Sequence, residues 1–411
     1  MAGLVKRSRR VNGEGSIYPY PHGYRAYSWV TTPDGKRRRK YVTAKTREEV
    51  RAKLLALQQA ASRGPVPTTI PTLDAYMNGW LTDVVRPNLA PSTVKNYEMF
   101  TRLYISPELG QRRLDRLSVR DVQKWVNELR TRCRCCAQGK DAARAEPRCC
   151  AKGVCCQQFP KEWTVRQAWT ILSSALSAAQ RDEMVTRNVA GLVRMPVPRA
   201  SRPLVWTVDQ VRQFLQSADA DGDPLMAGYV LLLVLGLRRG ELLGLAWEDV
   251  DRDAGQARIA WQLQRVDGGL IRRPTKTSSS DAVLPLPDIC VDSLAKRAEL
   301  ESRWRTEAGE AWQDCGLVLT TRYGMPIDPR NFHRMFKERA VKAGVPIISV
   351  HSARRTCASL LVAMNVHPRV AMAILRHSQI AVTMDIYSQV SSEGTRQALS
   401  SLGSRITERP Q

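Results

Sequence analysis

The chain has 411 residues, of which 43% are hydrophobic, so it is long enough for roughly two to three globular domains that fold without disulfide bonds. Its 63 Lys and Arg outnumber 39 Asp and Glu, and the net charge of +24 indicates a polyanionic partner. Because the basic residues are spread through segments of ordinary apolar content, nucleic acid is favoured over a membrane surface. The alternative is a charged surface that only keeps the protein in solution.

The sequence predicts neither a targeting segment nor a membrane span. The N-terminal stretch MAGLVKRSRRVNGEG has no apolar run behind its basic residues, unlike a signal peptide. The longest apolar run, 226–237, is too short to cross a bilayer and predicts a buried helix. We therefore expect a cytoplasmic protein with no membrane partner. Thiols stay reduced in that compartment, so the ten cysteines need an explanation other than disulfides.

Residues 1–65 are predicted to form a small first domain that begins with a β-meander. The stretch GSIYPYPHGYRAYSWVTTPDGKRRRKYVTA alternates aromatic or β-branched residues with polar ones, and two turn signals, PHG and PDG, divide it into three strands. The third strand carries a basic run, Lys36, Arg37, Arg38, Arg39 and Lys40. With alternate side chains pointing outward beside aromatic residues, this run is a candidate DNA-binding surface. The alternative is an ordinary charged edge strand that discourages aggregation.

A helix is predicted directly after the meander, at 46–59. Thr46 is the expected N-cap, and Glu49 completes a capping box. The helix has an apolar stripe formed by Val50, Leu54 and Leu57. The stretch SRGPVPTTIP that follows, 62–71, predicts a linker.

The second predicted domain, 72–198, is helical. Three runs with helical periodicity, LDAYMNGWLTDVV, PSTVKNYEMFTRLYI and SVRDVQKWVNELR, precede an interruption, and WTVRQAWTILSSALSAAQRDEMV follows it. Short basic helices with apolar faces favour a bundle that clamps DNA, although a generic bundle fits equally well. After a linker at 194–203, the third domain, 204–411, combines helices with a hairpin region at about 257–286. The predicted fold class is therefore α+β and mainly α.

The interruption, 133–156, contains most of the cysteines. It reads CRCCAQGKDAARAEPRCCAKGVCC and holds Cys133, Cys135, Cys136, Cys149, Cys150, Cys155 and Cys156. A structural zinc ion needs four thiolates, usually as two close pairs separated by a loop, and this segment has such a loop. Because the pairs are written CC and CxCC, the sequence leaves open which four would bind. The alternative is a mobile basic loop with incidental thiols.

The other three cysteines are isolated from one another. Cys290, Cys315 and Cys357 lie far apart in the C-terminal half, without a spacing typical of a metal site. We predict that they belong to the core.

Four stretches of the C-terminal half carry polar residues that chemistry could use. They are LGLRRGELLGLAWEDVD, RRPTKTSSSDAVLPL, HSARRTCASLL and LRHSQIAVTMDIYS. Each has an ordinary explanation when taken alone, such as a solvated arginine after a buried helix or a tyrosine that packs in the core. Their candidate site residues, in chain order, are Arg238, Lys276, His351, Arg354, His377 and Tyr387.

In this order the stretches resemble the tyrosine recombinase family, the phage-type integrases. The signature of that family is an arginine in a G-L-R-x-G-E box, a hairpin lysine, H-x-x-R, a second His or Trp, and a nucleophilic Tyr. The matching boxes are 236–241, 275–277, 351–354, 375–377 and 383–387. The chain departs from common members at Arg355, often histidine, at Arg376, often glycine, and at Asp281, where a basic residue is common.

The resemblance implies a role for each domain and each matched residue. Residues 1–65 correspond to an arm-type DNA-binding domain, 72–198 to a helical core-binding domain with the cysteine-rich insert, and 204–411 to the catalytic domain. Arginine suits a phosphodiester because its planar fork donates two hydrogen bonds and stays charged. The expected roles are a phosphate clamp (Arg238, Arg354), a proton acceptor (His351), a general acid (Lys276), a phosphate hydrogen-bond donor (His377) and the nucleophile (Tyr387).

The implied function is site-specific recombination that integrates or excises a phage genome or mobile element. DNA would be cleaved and rejoined through a 3′-phosphotyrosyl intermediate, without a cofactor for catalysis. The implied partners are double-stranded attachment sites, three further protomers in a tetramer that forms a Holliday junction, and an excision factor or DNA-bending protein. The protein would lie on the nucleoid when bound to DNA. The alternatives are a type IB-like topoisomerase and a DNA-binding regulator with an inert site.

Overall fold

The computed structural model describes residues 17–32, 35–66, 69–196, 204–266, 268–275, 281–376, 379–381 and 384. The chain divides into two compact units, Met1–Arg199 and Ala200–Gln411. Helices predominate in both units and small antiparallel sheets accompany them, as the α+β prediction requires. Among the described residues, no helix combines the length and apolar character needed to cross a bilayer.

The first unit begins with the predicted three-stranded meander. Its strands are β1 (Ile17–Tyr20), β2 (Gly23–Thr31) and β3 (Arg37–Ala44), antiparallel and adjacent in chain order. Helix α1 (Arg47–Arg63) covers one face of this sheet, and the predicted stripe of Val50, Leu54 and Leu57 is buried there. A helix on one face leaves the other face of the sheet open.

The start of α1 corrects one prediction. The Thr46 hydroxyl accepts a hydrogen bond from the Glu49 backbone N–H at 3.2 Å, so Thr46 is the N-cap. The return bond from the Thr46 N–H to the Glu49 carboxylate, which a capping box requires, is not formed in this described helix start. Glu49 is exposed, so its carboxylate is solvated by water instead.

A helical bundle completes the first unit and confirms the four predicted helical runs. Its helices are α2 (Leu73–Trp80), α3 (Arg86–Asn88), α4 (Pro91–Phe100), α5 (Ser106–Leu109), α6 (Val119–Thr131), α7 (Arg134–Ala137) and α8 (Glu162–Arg181). Two π-helical turns, Leu81–Val85 and Thr101–Ile105, continue α2 and α4. The indole of Trp125 is buried in the bundle core and donates to the Tyr104 carbonyl at 2.9 Å. The last helix ends at Arg181, four residues before the predicted end.

The second unit is built around one buried helix. Its helices are α9 (Val208–Ala220), α10 (Met226–Val234), α11 (Arg239–Gly244), α12 (Asp288–Ala308), α13 (Pro329–Lys342), α14 (Val350–Ala363) and α15 (Pro368–Leu375). Helix α10 is the predicted buried apolar run, and α9, α11, α12 and α14 pack against it. Apolar residues on nearly every face of α10 explain this central position.

In the part of the second unit that the structure describes, five short strands form two sheets. The strands are β4 (Val250–Asp251), β5 (Gln256–Ile259), β6 (Trp261–Val266), β7 (Gly269–Pro274) and β8 (Ala282–Pro285). One sheet has the order β4-β5-β8, and the other is the β6-β7 hairpin. The hairpin region predicted at about 257–286 is therefore present.

The three isolated cysteines differ from one another in burial. Cys290 and Cys357 are buried, as predicted, but Cys315 is only half-buried. Cys315 lies in the loop before the buried stretch Leu317–Leu319, where one side of the chain still faces solvent.

Candidate functional site

Three of the six predicted catalytic residues line one cleft of about 340 Å³ in the second unit. Arg238 comes from the loop between α10 and α11, whereas His351 and Arg354 come from the first two turns of α14. The rest of the lining is Leu237, Arg239, His333, Ser349 and Val350. Folding therefore brings together residues that are more than 100 positions apart in the chain.

Arg238 is held by the helix that it precedes. It occupies the N-cap of α11, where its backbone N–H donates to Glu241 Oε2 at 2.9 Å and its Nη1 donates to Oε1 at 2.5 Å. A second guanidinium nitrogen donates to the Arg376 carbonyl at 3.2 Å. These contacts fix the guanidinium at the cleft, where two-fifths of the side chain remains exposed.

Arg354 is a buried arginine whose guanidinium group hydrogen-bonds two backbone segments beside the cleft. Its Nη1 donates to the Gly236 carbonyl and its Nη2 to the Leu375 carbonyl. Burial, together with the positive charge of Arg238, lowers the pKa of Arg354 to about 9, so it stays charged at neutral pH. The cleft thus carries closely spaced positive charges, which favour the binding of an anion.

Gly236 allows this close approach. Its φ of +59° lies in the left-handed region, and a Cβ there would stand 2.8 Å from Leu375 Cδ2 and 3.2 Å from Cys357 Sγ. Both the backbone conformation and the close packing therefore require glycine at the first position of the G-L-R box.

His351 lines the cleft and remains partly accessible to solvent. Partial burial, together with the positive charges of Arg355 and the two cleft arginines, lowers its pKa below the ordinary value. His351 is consequently neutral at pH 7 and able to accept a proton.

Arg376, one of the departures from the family pattern, is buried in this site. It adopts a left-handed conformation (φ 51°, ψ 49°), which glycine adopts without cost, at the end of α15. Its guanidinium donates to Glu241 Oε2 at 2.9 Å, and both side chains are at most 3% exposed. Glu241 therefore binds two arginines, Arg238 and Arg376. The other two departures, Asp281 and Arg355, are an exposed ion-pair partner of Arg258 and an exposed residue of α14.

His333 was missed by the sequence analysis. It projects from α13 into the same cleft, and partial burial, with the charges of Lys337 and Arg239, lowers its pKa. The only sequence signal for it is that the chain has five histidines. Its position on a helix outside the family boxes gave no further indication.

The other three predicted catalytic residues, Lys276, His377 and Tyr387, lie outside the described residues. The described chain reaches Thr275 after β7, and Arg376 after α15.

The cysteine-rich insert brings its sulfur atoms together. Two groups of four thiols have all their Sγ atoms within 4.8 Å of one another, so the insert could hold a metal. The groups are Cys133, Cys136, Cys150 and Cys155, and Cys135, Cys149, Cys150 and Cys156. Thiolates are the ligands that zinc prefers in structural sites.

The open face of the N-terminal sheet combines arginines with aromatic rings. Among the residues that strand alternation places there are six that we call the aromatic–arginine face: Arg25, Tyr27, Trp29, Arg37, Arg39 and Tyr41. The Arg39 guanidinium carbon lies 4.9 Å from the ring centroids of both Tyr27 and Trp29. Trp29 is 47% exposed despite its size. Such a surface can stack on bases and attract phosphates.

The predicted basic run is split by the same alternation. Arg37 and Arg39 lie on the aromatic–arginine face, whereas Arg38 and Lys40 pair with Val30 and Ser28 of β2 on the opposite side. Lys36 precedes β3 and is exposed. Partial burial lowers the pKa of Lys40.

Comparison with known families finds two matches. The family model described as "Phage integrase family" matches residues 205–393, and the model "Phage integrase, N-terminal SAM-like domain" matches residues 72–130. An integrase of Streptomyces ambofaciens is 27% identical over 92% of this chain and 93% of its own length. A XerC-like tyrosine recombinase of Caldanaerobacter subterraneus subsp. tengcongensis is 25% identical over 87% of this chain and 89% of its own length.

Solved structures show the same fold. The Tn1549 transposon integrase, in complex with transposon right end DNA, superposes with a TM-score of 0.63 at 18% identity, covering 81% of this chain and 99% of the other. A lambda integrase dimer bound to a COC′ core site gives a TM-score of 0.51 at 17% identity over 76% and 97% of the two chains. A topoisomerase or an inert regulator is not favoured, because the matched families and relatives are integrases and recombinases. The chain therefore belongs to the phage integrase family of tyrosine recombinases, site-specific enzymes that cleave and rejoin DNA.

Proposed function

We propose that the cleft between the α10–α11 loop and α14 binds the scissile phosphodiester of a DNA attachment site. The attacked phosphate gains negative charge on its non-bridging oxygens in the transition state. Arg238 and Arg354 supply guanidinium groups for that charge, and each such donor is worth about 3 kcal/mol. Glu241 neutralises only part of the positive charge of Arg238, Arg354 and Arg376, which leaves the cleft suited to an anion.

The proposed nucleophile is Tyr387. A phenol has an ordinary pKa near 10, so only about one molecule in a thousand is ionised at pH 7. A neutral His351 can accept the phenolic proton as the oxygen attacks, and the cleft arginines favour the phenolate. The phosphorus–oxygen bond to the 5′ oxygen then breaks, and a 3′-phosphotyrosyl link forms.

The leaving 5′ oxygen needs a proton, and Lys276 is the proposed general acid. His377 is proposed to hydrogen-bond the scissile phosphate. The covalent link stores the energy of the broken bond, so rejoining needs neither ATP nor a catalytic metal. The observation that carries the proposal is the meeting of Arg238, His351 and Arg354 in one cleft, in the roles that the family pattern assigns to them.

The test is an adduct assay on nicked DNA that spans a candidate attachment site, in buffer without added metal. We expect the native protein to give a denaturant-resistant protein–DNA adduct that maps to the peptide containing residue 387. Tyr387→Phe should give none, and Tyr323→Phe, which alters an exposed tyrosine of the same unit, should react normally.

Two results would contradict this mechanism. An adduct that persists in Tyr387→Phe would assign the nucleophile elsewhere. Tight DNA binding without any adduct in the native protein would favour the inert regulator.

The three domains are proposed to share the DNA. Residues 1–65 would bind arm-type sites through the aromatic–arginine face, 72–198 would bind the core site, and 204–411 would carry out the chemistry. The similarity of 72–130 and 205–393 to two integrase family models supports the last two assignments.

Recombination of two attachment sites is proposed to use four protomers and a Holliday junction in the cytoplasm, on the nucleoid. An excision factor or a DNA-bending protein would set the direction, integrating or excising the element. The family resemblance supports these partners. Mass photometry of the protein on paired attachment sites, with a tetrameric complex as the expected species, would test the assembly.

The cysteine-rich insert is proposed to bind zinc in a structural role. The insert belongs to the unit Met1–Arg199, whereas the cleft belongs to the other unit. Its thiols are close enough to one another for metal coordination.

A further inference from the structure

All seven cysteines of the insert take part in one sulfur cluster. Neighbouring Sγ atoms are separated by 3.7–4.0 Å, among them Cys133–Cys150 at 4.0 Å, Cys135–Cys149 at 3.8 Å and Cys136–Cys155 at 3.7 Å. A disulfide requires about 2.05 Å between sulfur atoms, and the ten cysteines are free thiols. Seven is also an odd number, so pairing by disulfides would leave a thiol over.

The separations match a tetrahedral zinc–thiolate site. A Zn–S bond of about 2.3 Å places two sulfur ligands of a tetrahedron about 3.8 Å apart. Within each group of four, the spacing is therefore that of sulfurs sharing a metal, with little movement of the chain needed to bind it. The Cys133–Cys156 pair, 3.7 Å apart, is a contact between the two groups.

Cys150 belongs to both groups of four. The first group has Cys133, Cys136 and Cys155 as its other members, and the second has Cys135, Cys149 and Cys156. Two separate tetrahedral sites need eight ligands, and two sites that share one ligand need seven. The number of cysteines in the insert is the number that a pair of metal ions with one bridging thiolate requires.

A buried carboxylate holds the part of the loop that carries the shared ligand. Asp141 is 1% exposed and accepts hydrogen bonds from the backbone N–H groups of Arg148 (2.9 Å), Cys149 (2.8 Å) and Ala151 (3.0 Å). These bonds flank Cys150 on both sides. The position of Cys150 is thus set by contacts that do not involve sulfur.

The insert has no other core. Within 133–158, which is fully described, the buried side chains are Cys133, Cys135 and Asp141, while Val154 is 69% exposed. Segments this short usually need metals or disulfides to hold a single structure. The ends of the insert are joined by a backbone bond from Arg134 to the Gln158 carbonyl (2.9 Å), which makes it a closed loop on the bundle.

The charge of the segment also fits two ions. Residues 133–156 carry five basic side chains and two acidic ones, an excess of three positive charges. Two Zn²⁺ ions with seven thiolates carry three negative charges in total, which this excess offsets.

We infer that the insert is a binuclear zinc–thiolate centre in which Cys150 bridges the two ions. Cys133, Cys136 and Cys155 complete the first ion's ligands, and Cys135, Cys149 and Cys156 complete the second's. On binding, each thiol releases its proton to solvent. The inference rests on the proposal that the insert binds zinc and is independent of the recombination chemistry.

The first measurement is the metal content of the full-length protein, purified under reducing conditions, by elemental analysis and native mass spectrometry. Two zinc ions per chain are expected. One ion would overturn the binuclear centre while leaving zinc binding intact, and none would overturn both. The adduct assay with Tyr387→Phe tests the recombinase mechanism separately.

The bridge is tested with ¹¹³Cd in place of zinc. A shared sulfur couples the two cadmium nuclei, so two mutually split resonances are expected, and two unsplit resonances would overturn the bridge. Cys149→Ser should disturb one resonance, Cys155→Ser the other, and Cys150→Ser both. Cys315→Ser is the matched control, because this half-buried thiol lies outside the insert. Equal, single-site effects of Cys150→Ser and Cys149→Ser would count against the assignment.

Discussion

Arg376 and Glu241 form a buried ion pair in which Nη2 lies 2.9 Å from Oε2, with 1% and 3% of the two side chains exposed. The same carboxylate binds the backbone N–H and Nη1 of Arg238. The Arg376 carbonyl in turn accepts from Arg238 Nη2 at 3.2 Å. Arg376 is thereby a positioning residue for Arg238, in a place where glycine would satisfy the backbone alone.

We expect Arg376→Met to lower the free energy of unfolding by roughly 3 kcal/mol, because it leaves the buried Glu241 with one partner instead of two. The loss is measured from the unfolding transition of the second unit, induced by heat or by denaturant. Arg212→Met removes an exposed ion pair with Asp209 and should change stability by no more than about 0.5 kcal/mol. Equal losses of stability in the two variants would show that the buried ion pair stabilises the protein no more than an exposed one.

Glu241 makes stability depend on acid pH. Burial opposes its ionisation, but the charges of Arg376 and Arg238 outweigh burial and hold the pKa below the ordinary value. A carboxyl whose pKa is lowered on folding adds stability at pH above its unfolded value of about 4.3, and this gain is lost as the pH falls through the folded pKa. Glu241→Gln should therefore be destabilised at pH 7 and approach the native protein's stability at acid pH. A stability difference that does not change between pH 7 and pH 3 would contradict this.

We expect Arg354→Lys to slow adduct formation by about 10²–10³-fold. Lysine keeps the positive charge, but one ammonium group cannot reach both the Gly236 and Leu375 carbonyls and still present a planar fork to the phosphate. Single-turnover cleavage of nicked DNA measures the rate, with DNA affinity measured in parallel. Arg303→Lys, on the exposed side of α12, is the control and should react at the native rate. A native rate in Arg354→Lys would rule out a bidentate role.

The rate of adduct formation should fall at acid pH as His351 becomes protonated. The second-order rate constant for adduct formation, plotted against pH, reports the titration of groups in the free enzyme. Because the pKa of His351 is lowered, we expect the midpoint of the acid limb in that plot below about pH 6.5. Arg355→Gln removes a positive charge beside His351 and so raises the pKa of the imidazole. The midpoint should therefore move to higher pH. Arg355→Lys keeps the charge and should leave the midpoint in place. An unchanged midpoint in Arg355→Gln would show that another group titrates.

The aromatic–arginine face should contribute to DNA affinity through Arg39. We expect Arg39→Ala to weaken binding to duplex DNA by about tenfold and to reduce the salt dependence of binding by about one ion. Fluorescence anisotropy over a salt series measures both quantities. Arg51→Ala removes the same charge from an exposed position of α1 and serves as the control. Equal losses in the two variants would indicate only a general effect of net charge.

Local periodicity was enough to predict the meander with α1, the helical runs of the bundle and the buried α10. It also placed Arg238 before one helix and His351 with Arg354 on another. These features depend on neighbours within a few residues, which a pattern of apolar and polar positions records. The order of the family boxes added the class of enzyme.

Contacts between residues far apart in the chain could not be predicted from local patterns and are seen first in the folded structure. The pairing of Arg376 with Glu241, 135 positions away, depends on the packing of α15 against α14, which brings the end of α15 to the start of α11, and no local pattern encodes that contact. His333 enters the cleft for the same reason. The two thiol groups that share Cys150 depend on how a loop held by Asp141 folds back on itself. Such contacts are decided by the packing of segments far apart in the chain, because burial and hydrogen bonding there depend on the shape of both partners.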